Sequence, residues 1–393
     1  MAALADGQSR LSGLLAARDT ELMSAGLRQI GVQIEITGDD ALVTPPAAFR
    51  PVAVGIDCGL AGTVMRFLPA VAALAPGQTM FFGDQHASQR PLAPLLCGLR
   101  QLGVQVDAET LPLTLDAPAE LGGPNVEIDS STSSQFISAL LLAGARFPHG
   151  LRLSHVGESV PSLPHIEMTE QMLTTRGVDV HRDGMTWTVQ PGPIQALDQR
   201  IEPDLTNAAV FLAAGVVSGG EVTVPGWPRN SVQPGDFIGD VLTQMGASVE
   251  WSEAGLTARP GETLRGVDID LHAASELTPV VAGLAVFADG MTTIRGVGHI
   301  RGHETDRLAA IETELSALGV EIQQTADGLC ILGRGLTPNL KPTRDFGTYG
   351  DHRMAHLAAL LGLRTPGLIL ADVSVVTKTM PDFVERWTRM LEG

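Results

Sequence analysis

Gln101-Leu-Gly-Val-Gln-Val106 holds the end of a helix, a turn and the start of a strand in six residues, and the chain carries five copies of this pattern. Its sisters are Gln29-Ile-Gly-Val-Gln-Ile34, Thr175-Arg-Gly-Val-Asp-Val180, Gln244-Met-Gly-Ala-Ser-Val249 and Ala317-Leu-Gly-Val-Glu-Ile322. The glycines at 31, 103, 177, 246 and 319 stand 72, 74, 69 and 73 residues apart. One glycine after a helix is a common helix stop; five at one period mark a repeat. A second series of helix tails keeps the same period, ending at Gly7, Gly77, Gly150, Gly220, Gly290 and Gly367.

Each copy therefore carries two helices. A polar loop opens the first, which closes at its tail glycine, and a short strand follows, such as Met80–Phe82, Glu221–Val224 or Leu368–Leu370. A second polar loop opens the second helix, and two more strands lead to the next copy. This α-β-α-β-β order predicts an α/β protein. Six copies in 393 residues fit two domains of three repeats, residues 1–202 and 203–393, with Glu202-Pro203-Asp204 as the hinge. Helices such as Phe211–Val217 are apolar nearly all round and are expected inside a domain. Met1–Gly7 reads as the tail of a helix, so by the period the first repeat is truncated, with roughly 35–40 residues expected ahead of it.

Composition limits the function. The hydrophobic fraction of 44% can fill two cores, with only 4% aromatic residues. No long apolar run or charged leader predicts a membrane span or signal peptide. Cys58, Cys97 and Cys330 lack metal-ligand spacing and fit inert thiols in a cytoplasmic protein. A net charge of −18 disfavours nucleic acid as a partner. Lys341 and Lys378 are the only lysines, so a lysine at a helix opening draws notice.

The helix openings hold the reactive side chains, and a helix N-terminus attracts anions through its free N–H groups and dipole. With the helices running one way, their openings would line one face of each domain, and the two faces would meet at a cleft. In the N-terminal half, Gly59–Arg66 opens a helix in which Gly62 admits a close ligand and Thr63 can cap. Arg90 stands before Pro91 at the next opening. Ser130–Gln135 exceeds what one helix cap needs; Ser133, Ser134 and Gln135 suit a phosphate or polyol, or form a serine linker. Pro161–His165 adds Ser162 and His165.

In the C-terminal half, Ser275-Glu276 opens an apolar helix, with Glu276 a cap or a base. His299–Arg307 packs two histidines, two acids and two arginines into nine residues. Helical spacing puts His303 and Arg307 on one face. Gly350–Ala355 and Thr377–Phe383 add Arg353 and Lys378. Arg90, Arg307, Arg353 and Lys378 together point to a small polyanionic substrate. No phosphate-loop or dinucleotide fingerprint occurs.

Taken together, Leu60-Ala-Gly-Thr-Val-Met-Arg66, Gln89-Arg-Pro91, Ser133-Ser-Gln-Phe136, His303-Glu-Thr-Asp-Arg-Leu308, Gly350-Asp-His-Arg-Met-Ala355 and Thr377-Lys-Thr-Met-Pro-Asp-Phe383 resemble, in order and spacing, the 5-enolpyruvylshikimate-3-phosphate synthases. The resemblance spans residues 1–393. It implies a two-domain inside-out α/β barrel, or prism. It also implies a monomeric cytoplasmic transferase of the shikimate pathway and aromatic amino-acid biosynthesis, with no metal and no cofactor. The implied reaction is enolpyruvyl transfer from phosphoenolpyruvate to shikimate 3-phosphate by addition–elimination. Carried over, the resemblance puts phosphoenolpyruvate near Gly62, Arg90, Gln135, Arg307, Arg353 and Lys378. It puts shikimate 3-phosphate near Ser133, Ser134, Gln135, Ser162 and Glu276, counts His303 among the substrate-binding residues, and makes Glu276, Glu304 and Lys378 the proton carriers.

The chain departs from the family pattern at several points. Glu276 stands where Asp is common, His303 for Lys, His299 for Asn, His165 for Tyr and Leu60 for Asn. The family's Pro-Gly-Ser-Lys-Ser tract before the first tail glycine has no counterpart, which implies an impaired polypeptide. The weighed alternatives are a UDP-N-acetylglucosamine enolpyruvyl transferase and a non-catalytic ligand-binding remnant.

Overall fold

The five repeat glycines Gly31, Gly103, Gly177, Gly246 and Gly319 all take positive φ, at 111°, 91°, 76°, 97° and 87°, in the computed structural model. The structure describes residues 1–392. Each of these glycines follows a helix end, where a left-handed residue lets the last turn close and the chain reverse into a strand.

Eleven helices are found among the described residues. The first unit holds α1 (Arg18–Gln29), α2 (Gly62–Ala72), α3 (Ala93–Gln101), α4 (Gln135–Gly144) and α5 (Leu163–Thr175). The second holds α6 (Leu205–Ser218), α7 (Ile238–Gln244), α8 (Thr278–Phe287), α9 (Arg307–Ala317), α10 (His352–Gly362) and α11 (Phe383–Glu392). The units divide between Ile201 and Glu202, and each has its own core.

Even-numbered helices are the first helices of the copies. Their Ala, Val and Leu side chains are apolar all round, and nearly every residue is buried. Odd-numbered helices keep an exposed face. The centre of unit 1 holds α2 and α4, with the buried turn Ala2–Leu4 in the same core. The centre of unit 2 holds α6, α8 and α10. Each unit thus keeps helices inside and sheets around them.

Four of the five sheets have one plan. A short lead strand runs parallel to the strand after the tail glycine, which pairs antiparallel with a hairpin. In the second copy, Ile56–Asp57 leads, Gly77–Phe82 follows, and Leu113–Ala117 with Gln105–Val106 form the hairpin. Gln199–Arg200, at the end of unit 1, is the lead strand for Ser9–Ser12 at its start, with Leu11 opposite Gln199. Each lead strand ends just before an even-numbered helix, so the sheet edge sets where that helix begins.

The structure corrects several expectations. The lead strands have two to four residues, too few to show alternation in the sequence. Met1–Gly7 forms one 3₁₀ turn, Ala2–Leu4, because three residues cannot close an α-helical bond. Leu368–Leu370 is reduced to one bridge, Phe346 to Leu370, with no hairpin beside it among the described residues. Thr63 lies inside α2, whose N-cap is Ala61. Ser275 and Glu276 lie in a 3₁₀ turn, His272–Leu277, kinked at Ala274, and α8 begins only at Thr278.

Candidate active site

In unit 2 the side chains of three loops converge on Arg307, the first residue of α9. Asp306 caps that helix by accepting from the Ala309 N–H at 3.0 Å, which leaves Arg307 free to turn inward. Its guanidinium is buried and donates in every direction. Nε reaches Asp351 Oδ2 at 2.6 Å, Nη1 reaches Glu276 Oε2 at 2.7 Å, and Nη2 reaches Glu304 Oε2 at 2.8 Å. Nη1 also donates to His303 Nδ1 at 3.0 Å.

The carboxylates bring two more cations. Arg353 Nε lies 2.6 Å from Glu276 Oε2, and the Lys378 ammonium pairs with Glu304 Oε1. Asp351, fully buried, caps α10 by accepting from the Arg353 N–H at 2.9 Å. Three fixed cations thus meet three carboxylates, and the cluster is neutral as it stands. The Glu276 side chain keeps 25% of its surface exposed, against 8% for Glu304 and none for Asp351. Glu276 is the carboxylate of the three most open to a substrate.

Burial pushes the Glu276 carboxyl up, but Arg307, Arg353 and His303 outweigh burial and hold it well below the usual carboxylate range. Burial pulls the Arg307 guanidinium down; Asp351, Glu276 and Glu304 more than reverse this. His303 Nδ1 lies 3.2 Å from Glu276 Oε1 while accepting from Arg307. Arg can only donate, so the Arg307 bond needs Nδ1 without a proton, whereas the pair with Glu276 needs Nδ1 to carry one. His299 donates to or accepts from Ser275 Oγ at 2.9 Å; burial, then His303 and His272, lower its pKa to about 4.

Unit 1 gathers a second set. Arg90 Nη1 donates to Leu60 O at 2.9 Å, which lays the guanidinium across the opening of α2. A Cβ on Gly62 would stand 2.9 Å from Arg90 Nη2, so only glycine leaves this path clear. Arg66, one turn into α2, donates to Gln135 Oε1 at 2.8 Å and lies over the Phe136 ring. Gln135 is the first residue of α4, and its N–H meets Ser133 Oγ at 3.3 Å, with Ser134 at the N-cap. Ser162 occupies the N-cap position of α5 with φ at 51°, a left-handed backbone uncommon away from glycine. That helix joins α4 through a 2.9 Å bond from Thr169 to Ser138.

Gly62 and Arg90 therefore meet at the opening of α2, Gln135 is tied to that helix through Arg66, and Glu276, His303, Glu304, Arg307, Arg353 and Lys378 form one network. His303 and Arg307 touch without helical spacing, because His303 ends a 3₁₀ turn, Gly298–Gly302, ahead of α9. Lys378 closes another 3₁₀ turn, Ser374–Lys378, rather than opening α11. The sequence names Arg66 only as lying one turn into its helix and Asp351 only within a motif, and neither is among its candidate site residues. The Asp-x-Arg cap pattern was the available signal for Asp351; the partner of Arg66 is 69 residues away and left none.

The model of the EPSP synthase (3-phosphoshikimate 1-carboxyvinyltransferase) family matches residues 1–387. The chain belongs to the EPSP synthase family. A 3-phosphoshikimate 1-carboxyvinyltransferase from Mycobacterium ulcerans (strain Agy99) is 45% identical over 100% of this chain and 90% of the relative. Among solved structures, an EPSP synthase from Acinetobacter baumannii has a TM-score of 0.80 at 24% identity, covering 99% of this chain and 91% of that one. The enolpyruvyl transferase NikO from Streptomyces tendae has a TM-score of 0.71 at 21% identity, covering 99% and 90%. Both structures share the fold of the EPSP synthase family member described above.

Proposed function

We propose that the chain transfers the enolpyruvyl group of phosphoenolpyruvate to the 5-hydroxyl of shikimate 3-phosphate and releases phosphate. The observation that carries this reading is the unit 2 network, where Arg307, Arg353 and Lys378 face Glu276 and Glu304 within one charge cluster. Arginines there hold carboxylate and phosphate groups, and the two glutamates supply the proton carriers. The family match and the 45% identical transferase support the same reaction.

In the addition step, the 5-hydroxyl oxygen bonds to the central carbon of phosphoenolpyruvate as Glu276 takes the hydroxyl proton. The methylene carbon gains a proton from the Glu304–Lys378 pair and becomes a methyl group. In the elimination step, the carbon–oxygen bond to phosphate breaks as Glu276 gives its proton to the departing phosphate, the methyl group returns a proton to the Glu304–Lys378 pair, and the double bond re-forms. From unit 1 we assign Gly62, Arg90 and Gln135 to phosphoenolpyruvate, and Ser133, Ser134, Gln135 and Ser162 to shikimate 3-phosphate. From unit 2, Arg307, Arg353 and Lys378 take phosphoenolpyruvate, while Glu276 and His303 take shikimate 3-phosphate. The same reading makes the protein a monomeric cytoplasmic enzyme. No helix among the described residues is long and apolar enough to cross a membrane.

A phosphate-release assay tests this. Phosphate should appear when phosphoenolpyruvate is mixed with shikimate 3-phosphate, and not with UDP-N-acetylglucosamine. Release only with the UDP-sugar would move the chain to that sibling activity, and binding with no release from either would make it a non-catalytic remnant.

Two further results are expected. In Gly62→Ala, the new methyl meets only the end of the Arg90 side chain, which swings aside at little cost to folding. Stability should change by less than about 0.5 kcal/mol, while KM for phosphoenolpyruvate rises roughly tenfold, or about 1.4 kcal/mol of lost binding. Melting curves and initial rates on the same preparation check both halves. The second concerns pH. Free Glu276 is held low by Arg307, Arg353 and His303; substrate anions that engage those groups release it toward its ordinary value. The acid limb of kcat should therefore lie at higher pH than that of kcat/KM, since the first reports the complex and the second the free enzyme. Coincident limbs would count against Glu276 as the base.

A further inference from the structure

The loop from Arg344 to Asp351 is fastened to α9 at two points. At its far end, Asp351 accepts from Arg307 Nε at 2.6 Å. At the second point, Arg344 from its near end and Tyr349, two residues ahead of Asp351, both donate to one oxygen of Glu314, at 2.9 Å and 2.6 Å. Glu314 lies seven residues after Arg307 on the same helix, about two turns further on. Its side chain is only 2% exposed, and both donors come from this loop. Tyr349, the only tyrosine in the chain, holds φ at 54°, a backbone that bulky residues rarely adopt. Gly347 clears the space: a Cβ there would lie 2.9 Å from Glu314 Oε1 and 3.0 Å from the Tyr349 ring.

We propose that Glu314, Tyr349 and Arg344 form a clamp that positions Asp351 and Arg353 against Arg307 for enolpyruvyl transfer. These are positioning residues; none of them belongs to the charge cluster itself. The loop ends in the cap of α10, so any shift at Tyr349 passes through Gly350 and Asp351 to Arg353. Two anchors on one rigid helix fix both the distance and the angle of that cap, whereas Asp351 alone would leave the loop free to pivot about Arg307. A buried carboxylate that served packing alone would be costly without its partners; here both partners come from the segment that must be held. Displacements near 1 Å in such a site cost large factors in rate. The strained backbone at Tyr349 is kept in place by the hydroxyl bond at its tip.

The proposal rests on the enolpyruvyl-transfer reading, and its test separates the two. Tyr349→Phe removes the hydroxyl bond and should raise KM for phosphoenolpyruvate about tenfold, leaving KM for shikimate 3-phosphate within about twofold. Tyr349→Gly relieves the backbone strain, so it should melt no lower than Tyr349→Phe, yet show the same loss for phosphoenolpyruvate. Glu314→Gln keeps an acceptor oxygen and should restore most of what Glu314→Ala loses. Calorimetric binding of phosphoenolpyruvate to the same variants reads the clamp even if the unsubstituted chain does not turn over. Wild-type phosphoenolpyruvate affinity in Tyr349→Phe and Tyr349→Gly would overturn the proposal. So would equal losses for both substrates that track melting temperature, which is what a purely structural role produces.

Discussion

Arg307→Ala is expected to lose about 3–5 kcal/mol of folding stability together with all measurable transfer, because it removes the one cation shared by three carboxylates. Glu276 keeps Arg353 and Glu304 keeps Lys378, but Asp351, fully buried, is left with the Arg353 N–H and no cation. An unpaired buried charge is the costly outcome, more so than the loss of the pair itself. The two units can unfold in separate transitions, so the loss should fall on that of unit 2 while unit 1 keeps its midpoint. The pH dependence has a definite sign. The folded pKa of Glu276 is depressed, so it contributes stability above its unfolded value, about 4.3, and loses it as pH falls through the depressed folded value. Without Arg307 that depression shrinks, and the gap between variant and wild type should narrow in acid. Denaturant titration across pH measures this. A loss below about 1 kcal/mol at neutral pH would be surface-pair behaviour and would sink the account of Arg307 as the keystone of the cluster.

How far the sequence could be read follows from the length over which each signal acts. The helices and their order were legible because each stop recurs as a glycine at one period, and the positive φ at Gly31, Gly103, Gly177, Gly246 and Gly319 gives that recurrence its physical cause. The inside-out layering was legible in helices such as α6 and α8, which have no polar face to turn to water. The lead strands were not, since two residues such as Ile56–Asp57 carry no periodicity and are strands only because Phe81 and Phe82 lie beside them. In the site, the short motifs brought His303, Glu304 and Arg307 within reach of one another, and similarity to a family joined them to Glu276, Arg353 and Lys378. What stayed hidden was the pairing. That Asp351 answers Arg307, and that Glu314 answers Tyr349, depends on where two segments 44 and 35 residues apart are packed, and no local pattern encodes it. The same holds for Ser275 and Glu276. Their 3₁₀ turn and the kink at Ala274 aim Glu276 at Arg307, whereas a regular helix start would have pointed it along α8.

Glu276→Gln should lower kcat by about 10²–10⁴-fold, the usual worth of a positioned general base, while the fold survives. The amide oxygen still accepts from Arg307 Nη1, which now reaches Glu276 Oε2 at 2.7 Å. Arg353 loses its ionic partner but stays beside the amide oxygen. Neutralising one of three carboxylates leaves the cluster one positive charge in excess, so phosphoenolpyruvate should bind as tightly as before or more tightly, with KM unchanged or lower. A kcat that falls while KM does not rise is the signature of an interaction used only in the transition state. Glu276→Asp separates charge from reach. It keeps the carboxylate but draws it back from Arg353 and from the hydroxyl, and should fall between Gln and wild type. The acid limb of kcat assigned to Glu276 should vanish in Gln and remain in Asp. Single-turnover rates with both substrates saturating give the chemical step without product release. If Glu276→Gln keeps kcat within tenfold, the hydroxyl proton goes elsewhere, and His303, whose Nδ1 lies 3.2 Å from Glu276 Oε1, becomes the base to test. A joint loss of kcat and phosphoenolpyruvate binding would instead mean that Glu276 holds Arg307 and Arg353 in place and moves no proton.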